Sequence, residues 1–395
     1  MIDFPANPTT NQIFTAGGVQ WLWDGTKWVA NGVGSGYVPL SGGTMTGPLI
    51  LNADPTVALG AATKQQVDAR QPNFNRLING DMRIDQRNAG AAVTPTTGTV
   101  TYIIDRWAYN STQGSKFTIG RNGGGQGIVG PADFPYSLGA LSDSAYVALA
   151  SDVFQLFQAI EADMVSDFDW GTPNAKAVTL SFWVNSTIAG TFSGCIINYA
   201  SNRSFPFSYS IPTANTWIKI TVPIFGDPNG TWVMYGNGGS LYVRFDLGSG
   251  ATYRTTAGAW VNGNYTGVTG TGSWVSTNGA GVYITGVKLE TGSVASPFDR
   301  QSLAKSMADC QRYYQVLLSM LFGSWQAAST AFYSGYSYNT VMRAAPTGVF
   351  SNFGYANASA LGANAATTNI VQLTAIATAA GYAWASGNVA LSAEL

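Results

Sequence analysis

The chain has no histidine and few charges. Of its 395 residues, 19 are Lys or Arg and 20 are Asp or Glu, so charged residues make up 10%, against about 25% in an ordinary soluble domain. The absence of histidine excludes Ser-His-Asp and Cys-His nucleophiles and every His-ligated metal site. A net charge of −1 supplies no basic surface for phosphates or anionic lipids. We therefore expect no metal, no cofactor, no nucleic-acid partner and no membrane insertion.

Cysteine and long apolar runs are also scarce. Cys195 and Cys310 are the only cysteines, too few for a disulfide scaffold or a four-thiolate zinc site, so we expect two buried thiols. The sequence contains no run of about 18 apolar residues, the length that a transmembrane helix needs. Its first residues lack the pattern of a signal peptide. These features predict synthesis in a reducing cytosol.

Glycine and aromatic residues are abundant. The chain has 47 Gly and 12 Trp, and aromatics reach 13%, which is not the composition of a disordered protein. The length predicts two or three domains at roughly 150 residues each.

The N-terminal segment predicts a β-hairpin. Val19, Trp21 and Trp23 alternate, and Asp24-Gly25 leads into Trp28; Asp-Gly between apolar runs is a strong hairpin signal. A lone hairpin is marginal in water, so we expect this β unit and its linker, residues 1–36, to attach to a partner.

A weak helix follows the Gly/Ser linker. Leu59, Ala62, Gln66 and Ala69 fall at the a and d spacing of a coiled coil, but the seam is too short and too polar to stand alone. We expect three chains to form a short bundle over residues 37–71.

Two motifs in the same stretch resemble the repeat of tailed-bacteriophage tail fibre proteins. They are the YVPLSGGTMTGPLIL segment beginning at Tyr37 and the AATKQQVD segment beginning at Ala61, with Gln66 where the family has Tyr. Only one copy is present, which implies a short shaft. The segments around Phe4-Pro5 and Trp23–Trp28 resemble a small module of phage appendage proteins, which implies that Trp21, Trp23 and Trp28 contact the phage tail or baseplate.

Residues 72–300 predict a β-sandwich. Val178, Leu180, Phe182 and Val184 alternate with residues that also carry bulk, and further strands are predicted at 217–222 and 241–247, with Gly, Pro and Asn clusters between strands. Many short strands separated by turns are typical of a sandwich, and a jelly roll is the expected form.

This block resembles the carbohydrate-binding-module-like jelly roll of tail fibres and spikes. The matching segments are LINGDMRIDQR, the Asp105-Arg106-Trp107 triplet, TLSFWV, TWIKITVPI and ITGVKLETGSVASPFDR. The resemblance implies a spacer or a weak sugar binder.

A helical neck is predicted over residues 301–315. Leu303, Met307, Cys310 and Tyr314 form one apolar stripe, and Ser302 is a suitable N-cap. The stripe permits a three-fold seam between copies, and the CQRYYQ run resembles the neck of tail fibres.

The last 80 residues, 316–395, contain two charged side chains, Arg343 and Glu394. Strand-like runs at 327–338, 348–355 and 369–377 predict a β tip, and the MRAAPT run resembles fibre tip domains. A domain so poor in charge is weakly soluble alone, so we expect its apolar faces to meet other copies.

The sequence predicts no catalytic site. Glu161, Asp163, Asp167 and Asp169 form the densest acidic group, and a carboxylate pair could cleave glycans. A solvated acidic face is the favoured interpretation of this group. The chain is therefore predicted not to be an enzyme.

Binding of glycans is the better hypothesis, because sugar C–H faces pack on aromatic rings and sugar hydroxyls pair with Asn, Gln and backbone groups. Trp107, Trp183 and Trp217 lie in apolar runs and are expected in the core. The glycan-binding candidates lie in Gly-rich and Asn-rich segments or in the tip: Trp232, Tyr235, Tyr253, Trp260, Tyr265, Trp274, Tyr336 and Tyr338.

Together these patterns predict a mainly β, multidomain, elongated and homotrimeric phage tail fibre located in the virion. Its N-terminus would join the tail, and its jelly-roll loops and tip would bind host surface polysaccharide or lipopolysaccharide. A spacer fibre of the collar or whisker type remains an alternative, and a glycan depolymerase is a third.

Overall fold

The computed structural model describes residues 2–17, 19–30, 74–96, 98–123, 127–131, 133–364 and 366–395. They divide between two compact units, Met1–Thr63 and Lys64–Leu395. The predicted shaft at 37–71, with Leu59, Ala62, Gln66 and Ala69, lies outside the described residues.

The N-terminal unit is an antiparallel sheet of β1 (Ile13–Ala16), β2 (Val19–Trp23) and β3 (Trp28–Ala30). The predicted hairpin is confirmed: β2 pairs with β3, and Trp23 lies opposite Trp28. Oδ1 of Asp24 accepts the backbone N–H groups of Thr26 and Lys27 at 2.8 and 2.9 Å. These bonds lower the pKa of Asp24, the Lys27 bond most. The Asp carboxylate therefore closes the turn.

The second unit begins with a sandwich of two antiparallel sheets. The seven-stranded sheet has the order β15-β11-β10-β13-β8-β5-β4 and the five-stranded sheet the order β12-β9-β17-β7-β6. The chain crosses repeatedly between the sheets, in the manner of a jelly roll, and the prediction of a mainly β fold is confirmed. The strands are β4 (Thr101–Ile104), β5 (Trp107–Ser111), β6 (Phe117–Arg121), β7 (Leu138–Ser142), β8 (Phe154–Glu161), β9 (Val178–Ser186), β10 (Gly190–Asn198), β11 (Arg203–Ile211), β12 (Ile218–Ile224), β13 (Gly239–Asp246), β14 (Arg254–Thr255), β15 (Val261–Asn262), β16 (Gly267–Val268) and β17 (Gly281–Thr291).

Strand β9 shows how the sandwich is packed. Val178, Leu180, Phe182 and Val184 are fully buried between the sheets, as their alternation predicts. Ser181, on the opposite face, is also buried, because later segments cover part of the outer surface of the five-stranded sheet.

The opening loop of the sandwich is held by Asn79. Its amide donates to the carbonyl oxygens of Ile84 and Asp105 at 2.8 and 2.9 Å, and its Oδ1 accepts the N–H of Ile84 at 2.9 Å. The indole N–H of Trp107 donates to the Asn79 carbonyl at 3.0 Å. The LINGD segment and the Asp-Arg-Trp triplet therefore belong to one hydrogen-bond network.

Helix α1 spans Leu303–Gln311, and the side chain of Ser302 caps it by accepting the N–H of Lys305 at 3.3 Å. The helix is shorter than the predicted 301–315, because Tyr314 already begins the next strand. Two short 3-10 helices, Ala162–Phe168 and Ala251–Tyr253, complete the helical content of the described residues.

The tip contains two three-stranded antiparallel sheets, ordered β18-β23-β20 and β19-β22-β21. Their facing side chains share a second core that includes Leu317, Phe332, Leu373 and Val389. Three of the strands correspond to the predicted runs, whereas β18, β21 and β23 are additions. The strands are β18 (Tyr314–Gln326), β19 (Ala331–Ser337), β20 (Thr347–Ala356), β21 (Ala358–Asn364), β22 (Ile370–Ala377) and β23 (Gly381–Ser392).

The two charged side chains of the tip both contact the sandwich. Glu394 accepts hydrogen bonds from Arg87, at 2.6 Å, and from the buried Arg106. Arg343 donates to the carbonyl oxygen of Asn237 at 2.6 Å. These contacts join the tip to the sandwich within the second unit.

Both cysteines are free and buried, as predicted. Burial raises the pKa of Cys195 to about 12. No helix in the described ranges is long and apolar enough to cross a membrane.

Candidate functional site

Two of the predicted aromatic residues meet at one edge of the sandwich. The ring centroids of Trp232 and Trp260 lie 5.3 Å apart in an edge-to-face arrangement. Trp170 contacts both, at 4.8 and 5.0 Å, and Phe205 links Trp260 to Phe225 at 5.2 and 5.3 Å. We call these five residues the edge cluster.

Local backbone geometry permits this packing. Trp170 follows the first 3-10 helix, and Gly171 after it has a φ of +83°. A Cβ on Gly171 would lie 3.3 Å from the Trp232 ring. Glycine is therefore suited to this position both by its conformation and by the close ring.

The edge cluster has a buried floor and an exposed rim. Trp170 and Phe205 are buried, Trp232 and Trp260 are half-buried, and Phe225 is 53% exposed. The indole N–H of Trp260 donates to the carbonyl oxygen of Phe225 at 2.8 Å. The rim thus offers fixed apolar ring surface to solvent.

A buried ion pair lies beside the cluster. Arg203 holds the buried carboxylate of Asp227 through two hydrogen bonds, of 2.8 and 2.7 Å, and Asp227 also accepts the indole N–H of Trp232 at 3.2 Å. The Asp227 hydrogen bond raises the pKa of Arg203. Because each charge neutralises the other, the pair orients its neighbours without attracting ions.

Two amides complete the rim. Asn262, opposite Arg203 in the β11–β15 pair, is exposed and accepts the third hydrogen bond of that guanidinium at 3.1 Å. Asn229 is also exposed. Ring faces next to amide groups suit a neutral sugar, whose C–H face packs on the rings while its hydroxyls pair with the amides.

The structure places the other sandwich candidates elsewhere. Tyr235 is 75% exposed in the β12–β13 loop, and Tyr253 and Tyr265 are half-buried in the segment over the seven-stranded sheet. Trp274 is fully buried: it stacks on Phe192 at 3.8 Å and donates to Ser186 at 2.8 Å. Trp274 is therefore a core residue with no surface for a ligand, which corrects the prediction that it contacts a glycan.

The tip tyrosines pack against the second core. Tyr336 donates its hydroxyl to the carbonyl oxygen of Leu321 at 2.5 Å. The hydroxyl of Tyr338 is buried, and burial raises its pKa. Neither ring belongs to the edge cluster.

The neck residues do not form one seam. Leu303 is 57% exposed and Met307 is half-buried, whereas Cys310 is fully buried within the chain. Tyr314 lies in β18 and holds the guanidinium of Arg87 against its ring at 3.7 Å. Cys310 and Tyr314 therefore have partners inside their own chain, which corrects the expectation of a shared stripe.

The tail-attachment candidates cluster in the N-terminal unit. Phe4 lies 5.2 Å from Trp21 and 5.4 Å from Trp28, and Trp23 lies 5.6 Å from Trp28. No described residue of this unit is fully buried. The buried indole N–H of Trp21 has no hydrogen-bond acceptor among the described residues.

The four acids considered for catalysis all have structural partners. Glu161 and Asp163 also line a cavity of about 250 Å³ beside α1. Within the described residues, no group of three or more Cys, Asp or Glu could hold a metal. The partners are Arg312 and Tyr313 for Glu161, the N–H of Gly236 for Asp163, Arg76 for Asp167 and Lys176 for Asp169.

Of the three tryptophans expected in the core, only Trp107 is fully buried. Trp183 and Trp217 are half-buried on the outer face of the five-stranded sheet. Trp217 donates to the carbonyl oxygen of Val129 at 3.1 Å. The pattern of bulk on both faces of β9 is therefore explained by an outer surface that is itself partly covered.

Sequence reasoning misses Trp170, Phe205 and Phe225 of the edge cluster. Trp170 and Phe225 each precede a glycine, in the Trp170-Gly171 and Phe225-Gly226 pairs. An aromatic residue followed by glycine is the signal that could have found these two.

No protein-family model matches the chain, and no curated protein matches it. Solved structures similar to it include the enzymatically active domain of tailspike protein 4 of bacteriophage CBA120, at 13% identity and a TM-score of 0.26. That match covers 55% of this chain and 21% of the tailspike chain, so this chain spans about a fifth of it.

Two further similar structures are carbohydrate-binding modules. TmCBM61, solved with β-1,4-galactotriose, matches at 12% identity and a TM-score of 0.28, covering 55% of this chain and 99% of the module. The family 11 module of the Clostridium thermocellum cellulase Lic26A-Cel5E matches at 10% identity and a TM-score of 0.24, covering 52% and 97%.

Proposed function

We propose that the sandwich binds a neutral glycan at the edge cluster. The observation that carries this proposal is the exposed rim of Phe225, Trp232 and Trp260 beside the amides of Asn229 and Asn262. A pyranose ring packs its C–H face on the aromatic rim while its hydroxyls pair with the amides. The site is weak by itself, because its rim is open and its contacts are few.

Pre-organisation favours this binding. Arg203 is already fixed by Asp227 and fixes Asn262 in turn, so little side-chain freedom is lost when a ligand binds. The buried rings of Trp170 and Phe205 hold the half-buried ones in place. A rigid aromatic surface of this kind binds with a low entropic cost.

We further propose that the chain is a receptor-binding tail fibre of a bacteriophage. The tail-fibre repeat motifs at 37–68 support this proposal, as does an N-terminal unit whose aromatic residues lack full burial. The receptor would be a host surface polysaccharide or lipopolysaccharide. The chain is made in the host cytoplasm and works in the virion.

Homotrimerisation is part of the proposal. On the outer face of the β18-β23-β20 sheet, Leu321, Trp325, Val349 and Tyr382 are each more than half exposed. No charged residue interrupts this face, because Arg343 and Glu394 are engaged at the junction. Three copies would bury such faces together, and three linked sites would raise the weak affinity of each.

A panel of bacterial surface polysaccharides immobilised on a biosensor tests the glycan proposal. We expect the full chain to bind at least one polysaccharide, and Phe225→Ala to lower its affinity about tenfold. Val147→Ala, at another exposed apolar side chain outside the cluster, should bind as the unaltered chain does. Equal binding by Phe225→Ala, or no binding to any polysaccharide, would refute the edge cluster as the site.

Tyr333→Ala distinguishes a site in the tip from a site in the sandwich, because Tyr333 is 56% exposed on β19, outside the sheet face that is proposed to join the copies. If the sandwich binds the glycan, this tip variant keeps its affinity. Loss of binding in Tyr333→Ala with retention in Phe225→Ala would instead place the site in the tip. Binding by neither variant nor the unaltered chain, with normal incorporation into particles, would support the spacer alternative.

Light scattering and imaging test the assembly. Three copies of a 41.5 kDa chain give a mass of about 125 kDa, and a stable monomer in dilute buffer would contradict the trimer. Gold label on the C-terminus should lie on the outside of purified particles. A label that lies against the tail would contradict the proposed orientation.

A further inference from the structure

A second surface carries the chemistry of a binding site. It is a groove of about 280 Å³ on the outer face of the five-stranded sheet, lined by Trp183, Lys219 and Arg300 among others. Trp183 on β9 lies directly opposite Lys219 on β12, which places their side chains side by side. An indole ring and an ammonium group therefore share one wall.

The opposite wall is built from two phenylalanines. Phe134 and Phe298 meet edge-to-face at 5.2 Å, and the guanidinium of Arg300 lies 4.5 Å from the centre of the Phe134 ring. Cation–π contact holds that guanidinium without neutralising its charge. Arg300 is thus positioned while remaining exposed.

Gly286 permits the two walls to approach. It lies at a bulge of β17 with a φ of +59°, and a Cβ there would lie 2.8 Å from the Phe134 ring and 3.1 Å from the Trp183 ring. Any side chain at this position would push the aromatic rings apart. The groove depends on this glycine.

Hydrogen bonds from the buried Lys288 hold one edge of the groove in place. The buried ammonium of Lys288 donates to Ser296 at 2.5 Å and to the carbonyl oxygen of Pro297 at 2.8 Å, and it pairs with Glu290 at 3.0 Å. Ser296 and Pro297 line the groove. Its shape is therefore set before any ligand arrives.

The charge of the groove distinguishes it from the edge cluster. Neither Lys219 nor Arg300 has a carboxylate within ion-pair distance in the described part of the chain. Asp133 is the acidic residue of the lining, so two cations face one carboxylate. At the edge cluster, by contrast, the guanidinium of Arg203 is ion-paired with Asp227.

We propose that this groove binds a saccharide that carries a carboxylate, such as a hexuronic acid. The C–H face of the sugar packs on Trp183, its carboxylate is held between Lys219 and Arg300, and Asp133 accepts a hydroxyl hydrogen. A neutral sugar would leave both cations unpaired. The groove adds a second, acidic-sugar site to the proposed function and does not require the edge cluster to bind.

Calorimetry with matched ligands tests the proposal. The probes are α-1,4-linked trigalacturonic acid, its carboxyl-reduced form, and a hyaluronan tetrasaccharide, each titrated into the full chain at 50 and 300 mM salt. We expect at least one acid to bind about tenfold more tightly than the reduced trimer, and this preference to shrink at 300 mM salt, where screening is stronger.

Variants locate the site. Lys219→Gln with Arg300→Gln should abolish the preference for the acid, to within about twofold, whereas Lys176→Gln, another exposed lysine of the sandwich, should keep it. The indole N–H signal of Trp183, assigned through Trp183→Phe, should shift when the acid is added. Melting temperatures within 2 °C of the unaltered chain, as surface changes predict, would exclude misfolding as the cause.

Three results would overturn the inference: equal binding of acid and reduced trimer, binding of neither acid, or an unchanged preference in the double variant. The Phe225→Ala variant separates this inference from the proposed function. If it loses neutral-glycan binding but keeps the acid preference, the two sites are independent. If the acid preference disappears with Phe225→Ala, the acid binds at the edge cluster and the groove is not its site.

Discussion

Glutamine in place of Glu394 should loosen the tip from the sandwich. The carboxylate of Glu394 is 6% exposed and faces Arg106, whose side chain is 1% exposed. Burial lowers the pKa of Arg106, but the charge and hydrogen bond of Glu394 together with Tyr313 and Tyr102 outweigh burial, and the net pKa is raised. The guanidinium stays charged, so Glu394→Gln leaves a buried cation without its anion.

The structure sets the size of the effect. Removing one partner of a buried ion pair costs about 3–5 kcal/mol. Arg106 keeps a hydrogen bond of 2.6 Å to the carbonyl oxygen of Ala159 and the ring of Tyr313 at 3.6 Å, which favours the lower end, about 3 kcal/mol. With a slope of about 3 kcal/mol per molar urea, the midpoint of tip unfolding falls by about 1 M.

Urea unfolding followed by tryptophan fluorescence measures this shift, and limited proteolysis shows whether the tip is released first. Asp309→Asn is the matched control, because it removes an exposed i,i+4 pair with Lys305 that contributes about 0.3–0.5 kcal/mol. A midpoint for Glu394→Gln that equals the control would refute the reasoning. It would mean that the junction does not depend on this charge.

Three further predictions concern the second unit. Burial raises the pKa of Asp152, but hydrogen bonds, of which that from Gln113 is the largest, lower it from 3.8 to about 2. Above pH 4 the ionised carboxylate therefore adds about 2 kcal/mol to the free energy of unfolding, and this contribution is lost as the pH falls toward 2. Asp152→Asn should flatten that part of a curve of stability against pH. Cys195 and Cys310 should resist iodoacetamide at pH 8 in the native chain and react in urea, and labelling of the folded protein would contradict their burial. Asn79→Ala removes three buried hydrogen bonds and should cost about 3 kcal/mol in urea unfolding, and a change below 1 kcal/mol would show that the loop is held by other contacts.

Local signals predict much of this fold. The Asp24-Gly25 turn fixes the N-terminal hairpin, because a carboxylate that accepts turn N–H groups and a residue that tolerates positive φ need no distant contact. Alternation predicts β9 for the same reason: its inward side chains Val178 and Leu180 are large and apolar. The tip strand β23 lacks such a signal, since its inward positions include Ala383, Ala385 and Gly387.

The candidate sites needed the tertiary structure. Trp170 and Trp260 are 90 positions apart, and only the path of the chain brings their rings together. Trp183 lies in a strand whose other face is core, so composition favours burial, and only the groove shows that its ring reaches the surface. Cys310 has helical a/d spacing, but the residues that bury it belong to its own chain.

Because the chain has few charged residues, the position and partner of each one are informative about function. Glu394 and Arg343 are used at the junction of tip and sandwich, which leaves the outer tip sheet neutral. Arg203 is neutralised by Asp227 at the edge cluster, which suits a ligand without charge. Lys219 and Arg300 have no ion-pair partner among the residues that the structure describes. In the described ranges Lys116, Arg121 and Arg244 also lie beside tyrosine rings without an ion pair. Lys219 and Arg300 differ in that both line one groove together with Trp183, and this arrangement supports the proposal of an anionic ligand.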